Sequence, residues 1–117
     1  MPNVEDIQSI FFNKFNIEKL KKLATEALKD HAYDYDFLQE NGFNDVSKYK
    51  GDTRKLEIIY RGITIHFRGD LIQGKPFFRI LYSMIDPATK SEYFRYDLEF
   101  NNEGDILDDY FYIPSLD

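Results

Sequence analysis

The closing stretch DILDDYFYIPSLD, residues 105–117, gathers Asp105, Asp108, Asp109 and Asp117 around Tyr110, Phe111 and Tyr112. Carboxylates at that density suggest three chemistries: chelation of a hard cation, proton exchange between paired acids, or attraction of a basic surface. A hard cation needs several oxygens converging within about 2.5 Å of one point. In a strand, side chains alternate between faces and four residues span about 13 Å. Asp105 and Asp109 therefore share a face but stand too far apart to close on one ion, while Asp108 points the other way. The run Asp97-Leu98-Glu99-Phe100-Asn101 has the oxygen spacing of a calcium loop, yet it lacks that loop's central glycine and alternates as a strand. No metal or cofactor is assigned.

Acid–base catalysis needs convergent groups whose pKa values are pushed apart. Asp97 and Glu99 share a strand face, and a neighbouring strand would bring Asp108 near. On an exterior sheet face such acids are expected to be well solvated. His31 and His66 have no Ser, Cys or second His at a catalytic spacing and are read as structural. The run Gly69–Lys75 has no helix signal after it and no Ser or Thr following Lys75, so it is no phosphate loop. Glu57-Ile58-Ile59 lacks the lysine of a nuclease-type Glu-x-Lys pattern. These absences point away from an enzyme and leave the third chemistry, binding.

Charge supports that choice. Net charge is −6 over 117 residues, and it is concentrated. Residues 91–117 hold eight acids and one base, whereas residues 1–90 are net +1. A second acidic segment carries Asp30, Asp34, Asp36, Glu40 and Asp45 with no Lys or Arg between them. A negative field disfavours a nucleic-acid backbone as ligand and speeds encounter with basic proteins. There is no Cys, hence no disulfide and no thiolate site. The N-terminus places Glu5 and Asp6 before a short apolar run, the reverse of a secretion signal, and no apolar run reaches the roughly 20 residues of a membrane span. The expectation is a cytoplasmic protein that engages no membrane.

The elements that must position these residues are legible from periodicity. Residues 4–15 and 17–29 have helical apolar stripes out of phase with each other, so a break near Asn13–Asn16 is expected, with Asn16 capping the second helix. Its stripe is Ile17, Leu20, Leu23, Ala24, Ala27 and Leu28. Tyr33–Glu40 reads as a further helical turn stopped by Asn41-Gly42, and Gly51-Asp52 as a turn. From residue 54 the period becomes two. Residues 54–60 and 62–68 are either two strands of a hairpin or one long strand bulged at Arg61-Gly62. Strands follow at 77–85, 92–100 and 105–113, joined by turns at Asp86–Lys90 and Asn101–Gly104. The expected architecture is α+β: one domain over 1–117, with a helical part at 3–42 packed on one face of a four- to five-stranded antiparallel meander at 54–113. The inward stripe would be Ile63, Ile65, Phe67, Phe78, Ile80, Tyr82, Phe94, Tyr96, Leu98 and Phe100. The outward face would carry Arg79, Ser83, Tyr93, Arg95, Asp97, Glu99, Asp108, Tyr110 and Tyr112. Tyr and Arg among acids are the residues that protein interfaces use.

The closing motif from Tyr96 to Tyr112, a strand, an N-x-x-G hairpin and a D-Y-x-Y strand, resembles the end of some bacterial immunity proteins that neutralise polymorphic toxins, including those of contact-dependent growth inhibition. The resemblance spans under a fifth of the chain. It implies a small non-catalytic cytoplasmic binder that blocks the active site or an exosite of a toxin domain, often a nuclease with a basic cleft. On this reading the partner-binding residues are Tyr93, Asp97, Glu99, Asp108, Asp109, Tyr110 and Tyr112, with Asp34 and Asp36 of the second acidic segment. Two alternatives stand beside it. One is a small-molecule-binding or enzymatic domain with a pocket between curved sheet and helices. The other is an acidic nucleic-acid mimic of phage type, against which Arg79 and Arg95 count. The sequence carries no sign of oligomeric state.

Overall fold

Helix α1 runs Ile17–Ala32, and Asn16 caps it: the Asn16 side-chain oxygen accepts the Lys19 N–H at 3.2 Å. The computed structural model describes residues 15–43, 49, 51–66 and 76–114. The expected helix over 4–15, apart from Phe15, lies outside them, as does Phe67 of the expected stripe. Helix α1 continues three residues past the expected end because Ala32 extends its buried row. That row is Leu20, Ala24, Leu28 and Ala32, each four residues after the last. Leu23, expected in the stripe, is instead 40% exposed. The two alanines let the helix backbone approach the sheet closely.

Asp34 turns the chain into helix α2, Tyr35–Glu40, accepting the Phe37 N–H at 3.1 Å. Leu38 is its buried residue, and Gly42 at φ 75° follows the end. Asp52 then caps a single 3₁₀ turn, Thr53–Lys55, rather than a simple bend. The Thr53 hydroxyl donates to the Ala32 carbonyl at 2.6 Å, tying this turn to the end of α1.

Strands β1 (Glu57–His66), β2 (Phe77–Ile85), β3 (Glu92–Phe100) and β4 (Ile106–Tyr112) pair in sequence order, all antiparallel. Among the described residues the sheet therefore has four strands, and residues 57–66 are one strand, not a hairpin. The register passes from Tyr60↔Tyr82 to Gly62↔Leu81, leaving Arg61 as a bulge residue. Gly62 holds φ 137°, a conformation side-chain-bearing residues rarely adopt. Comparable shifts leave Tyr93 extra in β3 and Leu107 extra in β4. Each bulge strengthens local twist, wrapping the sheet around the helices.

The inner face carries the expected period-two stripe. Phe78, Ile80, Tyr82, Met84, Phe94, Tyr96, Leu98 and Phe100 are buried, with Ile63 and Ile65 half-buried against them. Phe78 stacks on its register partner Phe100 at 5.0 Å, and Phe94 on Phe111 at 5.2 Å. The buried Tyr82 hydroxyl reaches α1, where it donates to the Lys21 carbonyl and meets the Thr25 hydroxyl at 3.2 Å. A buried hydroxyl without such partners costs about 1–3 kcal/mol, so Tyr82 pins the helix to the sheet as well as filling space.

Leu28 has no solvent exposure. Leu28→Ala is expected to cost about 2–5 kcal/mol in urea denaturation, the range of a cavity in a packed core. Leu23→Ala is expected to stay within about 0.5 kcal/mol, as surface changes do. Equal costs at the two positions would contradict the placement of the helix face.

Candidate functional site

The outer face of the sheet is built from strand positions that alternate with the core stripe. Register sets Arg79 opposite Glu99, Ser83 opposite Arg95, Asp97 opposite Tyr110, Arg95 opposite Tyr112 and Glu99 opposite Asp108. The contacts of Tyr82, Tyr96 and Phe111 with the helices, and of Phe94 with Phe43 beyond α2, all fall on the other face.

Asp97 and Glu99 are not solvated, contrary to the sequence expectation. Asp97 is 7% exposed and Glu99 6%. Glu99 accepts from Arg79 Nε at 2.8 Å, which relieves the like charge of Asp108 across the strand pair. The Arg79 guanidinium in turn lies 4.7 Å from the Tyr110 ring centroid. Glu92 accepts from Arg95 Nε at 2.9 Å and from the Ser83 hydroxyl. Asp97 takes the Tyr112 hydroxyl, at 3.2 Å to its nearer oxygen. Long Arg and Tyr side chains thus form a roof, with carboxylates beneath it.

Burial acts on two of these acids with opposite net results. For Asp97, burial dominates and raises the carboxyl above its usual range, although the Tyr112 bond and the charges of Arg79, Arg61 and Arg95 pull it down. For Glu92, burial also raises, but hydrogen bonds from Arg95 and Ser83 outweigh it and hold the carboxyl low. Tyr112 is raised by burial and by the Asp97 charge, so its hydroxyl keeps its proton and donates.

Four of the expected binding residues sit elsewhere. Asp109 faces the helices. Its Oδ2 lies 2.7 Å from His31 Nε2 and accepts the Tyr96 hydroxyl at 2.8 Å. Burial first, then the bond to Asp109, keeps the Tyr96 phenol protonated far above its ordinary range. The His31 ring packs on Phe37 at 4.5 Å. This cluster went unread in the sequence, although its signal was present: Asp109 shares its parity with Phe111 and Ile113, the apolar side of β4. Tyr93, at the β3 bulge, packs against the core and lies 5.0 Å from the Tyr49 ring. Asp34 is spent as a helix cap, and exposed Asp36 lies beside it at the helical corner, apart from the sheet face. Asp108 and Tyr110 remain exposed on the outer face, with Tyr112 half-buried. The Asp108 carboxylate accepts the Asp109 N–H at 2.8 Å.

Among the described residues, no three His, Cys, Asp or Glu side chains are grouped to hold a metal ion, and no helix is long and apolar enough to cross a membrane. A groove of about 480 Å³ lies at the helical corner, not between sheet and helices, lined by Tyr33, Tyr35, Leu38, Tyr49, Asp52 and Arg54 among others. Its two charged walls are bonded to each other, Arg54 Nη2 to Asp52 at 2.9 Å and Nε at 3.1 Å.

No protein-family model, curated protein or solved structure matches this chain.

Asp97 allows a test of the buried outer face. Its carboxyl binds its proton more tightly in the folded chain than in the unfolded one. In the window just above the ordinary aspartate value of about 3.9, the folded state holds more protons, so this residue's contribution to stability falls as pH rises. The stability of Asp97→Asn relative to wild type should therefore increase from about pH 4 upward. Parallel stability–pH curves would contradict an Asp97 desolvated in the fold.

Proposed function

We propose that this chain is an immunity-type inhibitor, a non-catalytic protein that binds and neutralises a cognate basic toxin domain of the nuclease kind in the cytoplasm. The observation that carries the reading is the outer sheet face, where Arg79, Tyr110 and Tyr112 are held in place by nearly buried Glu99 and Asp97. Side chains fixed before binding lose little conformational freedom on docking, which is where much of an interface's affinity arises. Tyr and Arg are also the residues in which interface energy concentrates.

The burial of Asp97 and Glu99 changes how the acids work. They organise the Tyr/Arg roof and contribute to the long-range field, while exposed Asp105 and Asp108 are the acids that a partner meets. The net −7 of residues 91–117 supports fast encounter with a basic cleft. The paired arginines on the same face weigh against mimicry of a nucleic acid, which needs acids without interleaved cations. The groove at the helical corner has the size a small-molecule domain would need, but among the described residues its charged side chains, Asp52 and Arg54, neutralise each other.

The natural candidate partner is the variable C-terminal domain of a large secreted protein encoded in the adjoining upstream reading frame. Co-expression of this chain should rescue cells from that domain, and the purified pair should form a complex. Tyr110→Ala is expected to weaken the complex by about tenfold or more. Asp108→Lys should slow association, mainly at low salt. Asp109→Lys is unsuitable here, since it would break the His31–Tyr96 cluster. Unchanged affinity and salt dependence in both variants would remove this face as the docking surface.

A further inference from the structure

The helical corner has a chemistry of its own. Tyr33 is the C-terminal cap of α1, Tyr35 opens α2, and both line the groove with Tyr49. Tyr35 is 66% exposed and Tyr33 36%. Two aromatic side chains left so open on one groove mark a contact surface.

Three features of the groove select the charge of its occupant. The tyrosine ring faces are electron-rich and attract cations. The C-terminal end of α1, where Tyr33 lies, carries the negative pole of that helix's dipole. Exposed Asp30, Asp34 and Asp36 stand in the segments flanking Tyr33 and Tyr35, which contain no Lys or Arg from residue 30 to residue 43. The one cation among the described lining residues, Arg54, is held by a two-pronged contact with Asp52, on which the charge of neighbouring Lys55 also acts. The floor, with Leu38 and the Thr53 hydroxyl bound back to Ala32, adds no charged group among the described residues.

We infer that this groove is a second contact point, a tyrosine-walled notch that receives an arginine side chain of a partner protein through cation–π and helix-dipole attraction. A guanidinium fits because it is planar, stacks on phenol rings and is weakly hydrated, so leaving water costs it less than it costs an ammonium. The inference rests on the proposed function only for the source of the arginine. The groove's preference for a cation follows from its own residues. A partner spanning both the sheet face and this corner would explain why the chain is acidic in two separate segments.

The test uses the full chain with ring-labelled tyrosine in NMR. The probe is acetyl-arginine-amide, and the control is its uncharged isostere acetyl-citrulline-amide. The arginine probe should shift the Tyr33 and Tyr35 ring signals saturably, about tenfold more tightly than the citrulline probe, with Tyr110 unmoved. Tyr35→Phe should keep the response, because the ring face remains. Tyr35→Leu should lose it while leaving the remaining ring spectrum intact. Equal response to both probes would make this an apolar groove and overturn the inference. A non-saturating shift shared by Tyr110 would reduce it to general attraction and also overturn it. Either failure leaves docking at the sheet face untouched, because that is read with the toxin domain. Conversely, a positive result without any toxin complex would refute only the partner's identity.

Discussion

Strand β3 is constrained from both sides, and the rest of the structure follows from that. Its inner side chains, Phe94, Tyr96, Leu98 and Phe100, are buried against α1 and the neighbouring strands. Its outer acids, Asp97 and Glu99, are nearly as buried. A strand with an apolar side needs a helix over it. A strand with buried carboxylates needs donors over it, because an unpaired buried charge is prohibitive. The first demand orders α1 on the inner face. The second draws Arg79 and Tyr112 from the two flanking strands across the outer face, with Tyr110 held against Arg79, and so builds a preorganised surface without any covering helix among the described residues.

The two sides are coupled through β4. Tyr112 and Tyr110 face outward, while Phe111 and Asp109 face inward. Asp109 bonds both buried Tyr96 and His31 of α1, so the strand that carries Tyr110 and Tyr112 is anchored directly to the helix. Beta edges are easily displaced or recruited by other chains. Here the edge carries Asp105 and Asp108, and its position relative to the core is set by a polar clasp as well as by Phe111 against Phe94. The surface is therefore acidic at its margin, aromatic at its centre and stiff beneath.

Much of this was legible in the residues. Period two in 77–85 and 92–100 located those strands end to end, and Asn16 and the N-x-x-G turn announced a cap and a hairpin because local chemistry decides them. What escaped was whatever depends on pairing across the chain. The Arg61 bulge could not be told from a hairpin, since both begin with the same Arg-Gly step. Acids on the polar parity of β3 looked solvated, because sequence alternation assigns a face and says nothing about which long side chains lie over it. Asp109 was grouped with Asp108 by adjacency, although one-residue spacing in a strand separates them as fully as possible. The bulge at Tyr93 likewise moved a tyrosine from the outer face to the company of Tyr49.

The central claim is that the Tyr/Arg roof over Asp97 and Glu99 is where a partner docks. Hydroxyl-radical footprinting of the chain, alone and saturated with the proposed toxin partner, reads that surface one side chain at a time. The account predicts a strong loss of oxidation at Tyr110, with Leu23 on the exposed back of α1 unchanged. Tyr110 oxidised equally in the free chain and in the saturated complex would contradict it.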